Sequence, residues 1–110
     1  MGNYNRFVKE LVSASGVDAS ANYELVSDLE NTAAIAIHAL WTETSVTGSI
    51  QVQGSIDDTN WYGLNTAVNV DTAAEMWFED ADIAHPYIRV ALTVSSGELT
   101  TLKILVAGKG

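Results

Sequence analysis

Apolar and polar residues alternate along most of this chain with a period of two, the spacing of strands that bury one face and wet the other. The pattern is clearest in the last third. Tyr87 to Val94 sets Ile88, Val90, Leu92 and Val94 against Tyr87, Arg89, Ala91 and Thr93. Ser95-Ser96-Gly97-Glu98 has turn composition, and Leu99 to Ala107 returns with Leu102, Ile104 and Val106 on one face, which predicts a terminal hairpin. Upstream, Gly48 to Ile56 gives Ile50, Val52, Gly54 and Ile56 one parity and Gln51 and Gln53 the other. That predicts a strand anchored by Ile50, Val52 and Ile56, followed by a polar turn, Asp57 to Asn60, and by Trp61 as a structural plug.

Ala33 to Thr42 differs, because both parities are apolar: Ile35, Ile37, Ala39 and Trp41 on one side, Ala34, Ala36, His38 and Leu40 on the other. Such a strand is either covered on both faces or turns its outer face to another subunit. Thr47-Gly48 reads as the turn that follows it. Phe7 to Val12 is spaced for either a strand or a helix and is assigned to a strand; Ser13 to Asn22 reads as a loop, and Tyr23 to Val26 as a short strand. Trp61 to Leu64 forms another short strand. In Glu75 to Phe78, Met76 and Phe78 oppose Glu75 and Trp77, as expected of a strand with one wetted face at a sheet edge. An acidic connection, Glu79 to Pro86, leads into the final strands. Roughly eight short strands with turn-punctuated spacing predict an all-β chain, a single antiparallel β-sandwich of jelly-roll-like topology. One domain is expected over residues 1–110, with residues 1–22 an N-terminal strand and loop.

Composition narrows the partners. With 14 Asp and Glu against 5 Lys and Arg, the net charge is -9, which repels phosphate backbones and anionic lipid. Neither nucleic acid nor a membrane surface is expected to bind. There is no cysteine, so disulfides, thiolate nucleophiles and cysteine-ligated zinc do not enter. Met1 to Phe7 lacks the apolar run of a signal peptide, which predicts a soluble chain assembled in a cytoplasm. Yet 47% of the residues are hydrophobic and the mean hydropathy is +0.11, rich for so acidic a chain. Either some apolar surface is reserved for a partner, or the many small alanines inflate the count.

No constellation supports catalysis. The histidines His38 and His85 are the only bases of the usual kind; His38 lies in the apolar strand as a packed or interface side chain, and His85 precedes Pro86 in a turn. Asp57 or Asp58 with Glu79, Asp80 or Asp82 would have to supply a glycosidase pair, but no motif fixes them. Asp57, Asp58, Thr59 and Asn60 line up oxygen-bearing side chains, a calcium-loop pattern without EF-hand spacing. Asp and Asn in turns more often bond their own backbone. Neither a metal nor any other cofactor is expected. Trp77 and Tyr62, with Tyr87, are candidates for a sugar-stacking platform, whereas Trp41 and Trp61 follow inward patterns.

The run Gly54-Ser55-Ile56-Asp57-Asp58-Thr59-Asn60-Trp61, preceded by Asn31-Thr32-Ala33 and Trp41-Thr42, and followed by Pro86-Tyr87-Ile88-Arg89-Val90 and the ending Gly108-Lys109-Gly110, resembles small all-β virion structural proteins of tailed bacteriophages. That class shows a Gly-Ser-x-Asp-Gly-Thr-x-Trp turn, a later Tyr-Ile-Arg strand and a Gly-Lys tail. Here Asp58 stands where glycine is usual, and Asp tolerates positive φ better than most residues. The resemblance implies a non-enzymatic capsid decoration or cement protein, a homo-oligomer with a trimer favoured, docked on the major capsid protein lattice at the virion surface. The alternative it leaves open is a carbohydrate-binding module of a tail or fibre. Interface candidates are Phe7, Val8, His38, Leu40 and Trp77, with Met1 to Val12 or strand edges meeting the capsid.

Overall fold

The computed structural model describes residues 6–25, 33–84 and 86–109. Seven strands run through them: β1 (Arg6–Val17), β2 (Ala21–Leu25), β3 (Ala34–Ser55), β4 (Tyr62–Gly63), β5 (Val68–Asn69), β6 (Glu75–Asp80) and β7 (Tyr87–Lys109). All pairings are antiparallel, and no described residue is helical.

β7 is the hub. It pairs with β1 over its C-terminal part, with β2 over its N-terminal part, and with β3 along its whole length, from Ala34↔Lys109 to Ser55↔Tyr87. The other edge of β3 is lined in turn by β4 at Gln53 and Gly54, β5 at Ser49 and Ile50, and β6 from Ile35 to Leu40. A straight strand of 23 residues would extend about 75 Å, whereas the longest dimension of the molecule is 48 Å. β3 and β7 therefore bend together.

The bend lies where register shifts interrupt the β3–β7 ladder, between Thr42 and Gly48. Two glycines permit it. Gly97 adopts φ +74°, and a Cβ there would run into the Ser45 carbonyl oxygen; a Cβ at Gly48 would meet the Thr93 carbonyl oxygen across the ladder. Neither the expected turn at Thr47-Gly48 nor the terminal hairpin at Ser95 to Glu98 forms. Both segments stay within long strands, because each has the other as its ladder partner and the two bulge side by side. Ser13 to Val17, expected as loop, likewise continues β1.

The bend divides the sheet into two halves. The first carries β1, the C-terminal part of β7, the N-terminal part of β3, and β6; the second carries β2, the remainder of β7 and β3, then β4 and β5. Their inward rows, Ile35, Ile37, Ala39, Trp41, Leu102, Ile104 and Val106 from one half, Ile50, Val52, Ile88, Val90 and Leu92 from the other, belong to one core cluster. The result is a β-sandwich-like all-β fold, in which the expected alternation correctly located both rows. Ile56 is the exception. The sheet ends at Ser55, so parity no longer governs the next side chain, and Ile56 is 73% exposed rather than an anchor.

Candidate interaction surface

Register brings four of the candidate residues onto one face. Outward positions of the first half-sheet are those opposite in parity to Ile37 and Ile104, and cross-strand neighbours follow from the pairing. One row runs Val8, Ala107, Ala36, Glu79; the next Glu10, Leu105, His38, Trp77; the next Ser13, Lys103, Leu40, Glu75. Val8 and Trp77 are the most open large side chains here, 78% and 57% exposed, while His38, Leu40 and Leu105 are half-buried. Nothing in the described chain covers this face. Of the remaining candidates, Phe7 sits in β1 but its side chain lies outside the described residues, as do His85 and the segment before Arg6.

Trp77 is held in place. Its Nε1 donates to Glu79 Oε1 at 2.8 Å, and the His38 ring meets it edge-on at 5.3 Å between centroids. His38 Nε2 in turn donates to Glu75 Oε1 at 2.6 Å. These contacts orient the imidazole between an indole and a carboxylate, and no serine or threonine hydroxyl among the described residues bonds to it. Hollows flank the His38–Trp77 row on both sides. One, of about 430 Å³, is floored by Ala34, Ala36 and Ala107 and walled by Val8; the other, of about 880 Å³, is lined by Leu40, Leu105, Lys103, Thr42 and Thr101 among others.

The turn after β3 is a closed hydrogen-bonded unit. Asp57 Oδ1 accepts from the Ser55 hydroxyl (3.0 Å) and from the amides of Thr59 (2.9 Å) and Asn60 (2.8 Å), and Oδ2 accepts from Asn60 Nδ2 (2.7 Å). The buried Ser55 hydroxyl also receives the Asp57 and Asp58 amides. Donation by the Asn60 amide, then by the Thr59 amide and the Asn60 side chain, holds the Asp57 carboxyl well below the usual carboxylate range. Asp58 takes φ 62°, the left-handed conformation that glycine favours and Asp tolerates better than most residues. Of the calcium-loop candidates Asp57, Asp58 and Asn60, the Asp57 carboxylate is thus taken up within the turn itself, and no group of three or more His, Asp or Glu among the described residues is arranged to hold a metal ion.

Trp61 is not the plug. It is partly exposed at the sheet edge, with the Arg89 guanidinium carbon 4.1 Å from its ring centroid. Arg89 Nε donates to Gln53 Oε1 (2.9 Å), Gln53 Nε2 to Gln51 Oε1 (3.1 Å), and Gln51 Nε2 to the Asn65 carbonyl (2.8 Å), a polar ladder along the outer face of the second half-sheet. The buried tryptophan is Trp41, 3% exposed, whose Nε1 donates to both the Val70 (3.0 Å) and Ala73 (2.8 Å) carbonyls. It pins the segment between β5 and β6 across the bend. Tyr62 and Trp77 border opposite ends of β3, at Gly54 and His38, in different halves of the sheet, and do not share a stacking platform.

These features define an antiparallel, β-sandwich-like protein with a bent two-strand spine and a sheet face, part apolar and part charged, that no described residue covers. Among solved structures, the SPBc2 prophage-derived protein YomS is similar over 100% of this chain and 97% of its own, with a TM-score of 0.70 at 7% identity. The Yersinia pseudotuberculosis-derived mitogen YPM is similar over 98% of this chain and 86% of its own, with a TM-score of 0.53 at 12% identity. No family model and no curated protein sequence matches the chain. At such identities the likeness is one of fold.

Proposed function

We propose that the chain is a non-enzymatic structural protein of a tailed-phage particle, a decoration protein that stabilises the capsid by docking in many copies on the major capsid protein lattice. The observation that carries this function is the open edge of β1. Among the described residues this strand of 12 residues pairs along one side, with β7, so the outward amides and carbonyls of its N-terminal part offer themselves to a strand of another protein. The register shift between Glu10 and Val12 divides the edge into two regular stretches, of which Arg6 through Glu10 lies nearest the chain start. A contact this short is weak singly. Repeated across a symmetric lattice it is strengthened by multivalency, which is how a small protein reinforces a shell. The turn motif from Gly54 to Trp61 and the full-length likeness of fold to a prophage-derived protein support the phage setting.

The test is sedimentation of particles that carry the protein. It should travel with both filled and empty heads, in many copies, and antibody-labelled electron microscopy should decorate the shell. Recovery on isolated tails alone would overturn the assignment. A proline at Val8, which removes an amide donor from the edge, should reduce head binding at least about tenfold while leaving the circular dichroism of the free protein unchanged.

A further inference from the structure

We infer that the outer face of the first half-sheet is a contact surface for a second copy of this chain. The inference does not depend on the virion role, because it rests on the shape and charge of a face the edge of β1 does not need. Three observations converge. The face has a fixed projection, the Trp77 indole held by Glu79 and His38, and beside it a hollow of about 430 Å³ floored by three alanines. Knob and hollow on one surface make it self-complementary: with two copies face to face about a twofold axis, each indole meets the other copy's alanine floor. The small side chains Ala34, Ala36 and Ala107, otherwise unexplained at positions where a strand favours larger residues, leave the space an incoming ring needs.

Charge selects the same occupant. The chain carries -9, so two copies repel unless counter-charges lie where they meet. On this face Glu10, Glu75 and Glu79, with Asp80 at the rim of the hollow, alternate with Lys103 and Lys109, and Lys103 Nζ lies 3.8 Å from Glu10. A twofold mate can therefore set these lysines against the other copy's carboxylates, whereas a strongly acidic or strongly basic partner would leave one sign unmatched. Area is sufficient. Four strands about 4.8 Å apart, followed from Ala34 to Thr42, give a footprint of about 500 Å² per copy, or about 1,000 Å² for the pair, the lower limit for a specific contact. An interface of that size with an aromatic anchor predicts a dimer in the micromolar range.

Sedimentation velocity of the free full-length protein tests it. Between about 10 and 200 µM the mass should approach twice the 11.8 kDa of one chain. Trp77→Ala removes the knob and Ala36→Arg fills the hollow; each should weaken association at least about 30-fold. Both side chains point outward, so near-native circular dichroism is expected of both variants, and Tyr62→Ala, on the other half-sheet, should associate like the wild type. A wild-type protein that stays monomeric at 200 µM overturns the inference, as does a trimer or a dimer indifferent to both variants. Binding to heads by a protein that is monomeric when free would leave the proposed function standing and sink only this contact.

Discussion

Asp57 shows how one side chain organises a turn. Its carboxylate accepts four hydrogen bonds, three of them on Oδ1, so an ionised acceptor replaces the ladder that ends at Ser55. The sign of the pH effect follows from the lowered pKa. A depressed folded-state value contributes stability above the unfolded-state value, near 3.8 for Asp, and that contribution fades as pH falls below it toward the folded value. Protection of the Thr59 and Asn60 amides should therefore persist down to about pH 4 and decline below it. In Asp57→Ala it should be lost at every pH. Hydrogen exchange read by nuclear magnetic resonance checks both, and protection surviving in Asp57→Ala would show that the turn holds without its carboxylate. The same saturation of the oxygens explains why a run that looks like a cation loop on paper is a self-bonded turn: the spacing Ser55-x-Asp57-x-x-Asn60 suits backbone amides first.

The bend in β3 and β7 is the element on which the fold turns, and its glycines allow two effects to be separated. Gly16 and Gly97 both have positive φ, but a Cβ at Gly16 meets only a side-chain oxygen of Glu98 at 4.0 Å, whereas one at Gly97 meets the backbone of Ser45 and Val46. Gly16→Ala should cost about 1 kcal/mol from conformation alone. Gly97→Ala should cost about 3 kcal/mol or more, because β3 must move as well. Urea midpoints distinguish them, and equal losses would mean that close approach at the bend contributes nothing. This is also where the sequence was least legible. Alternation located the buried rows of β3, β6 and β7, since parity is a local property. Ser95-Ser96-Gly97-Glu98 suits a hairpin turn and a left-handed bulge equally well, and what decides between them is β3 lying alongside, a contact some fifty residues away in the chain. Trp41 is buried as its parity predicts, but Trp61 is not, for the same reason. Which indole is sealed depends on where the segment between β5 and β6 crosses, and it crosses at Trp41. The gathering of Val8, His38, Leu40 and Trp77 on one face was legible only as outward parity strand by strand; Leu105 and Ala107, which complete it, needed the register.

Taken whole, the molecule depends on pairing residues from opposite ends of the chain. Arg6 pairs with Lys109, and Ala34 pairs with the same residue from the other side, so neither half-sheet exists until β7 has been made. Among the described residues only β3 and β4 pair across a short connection, the Asp57 turn. Each remaining ladder closes a long loop before its contacts compensate the entropy lost. Refolding should therefore take milliseconds to seconds, as in β-rich domains with distant pairings, rather than microseconds. It should also respond to salt. Collapse concentrates a charge of -9 into a radius of gyration of 14.1 Å, and screening that repulsion favours the compact state. Stopped-flow refolding from urea at about 20 mM and about 500 mM sodium chloride separates the two contributions: the time scale reports topology, and the acceleration with salt reports self-repulsion. Microsecond refolding would mean that the long ladders do not limit the rate. Refolding that slows with salt would mean that attractive pairs such as Lys103–Glu10 outweigh the excess of carboxylates in the compact state.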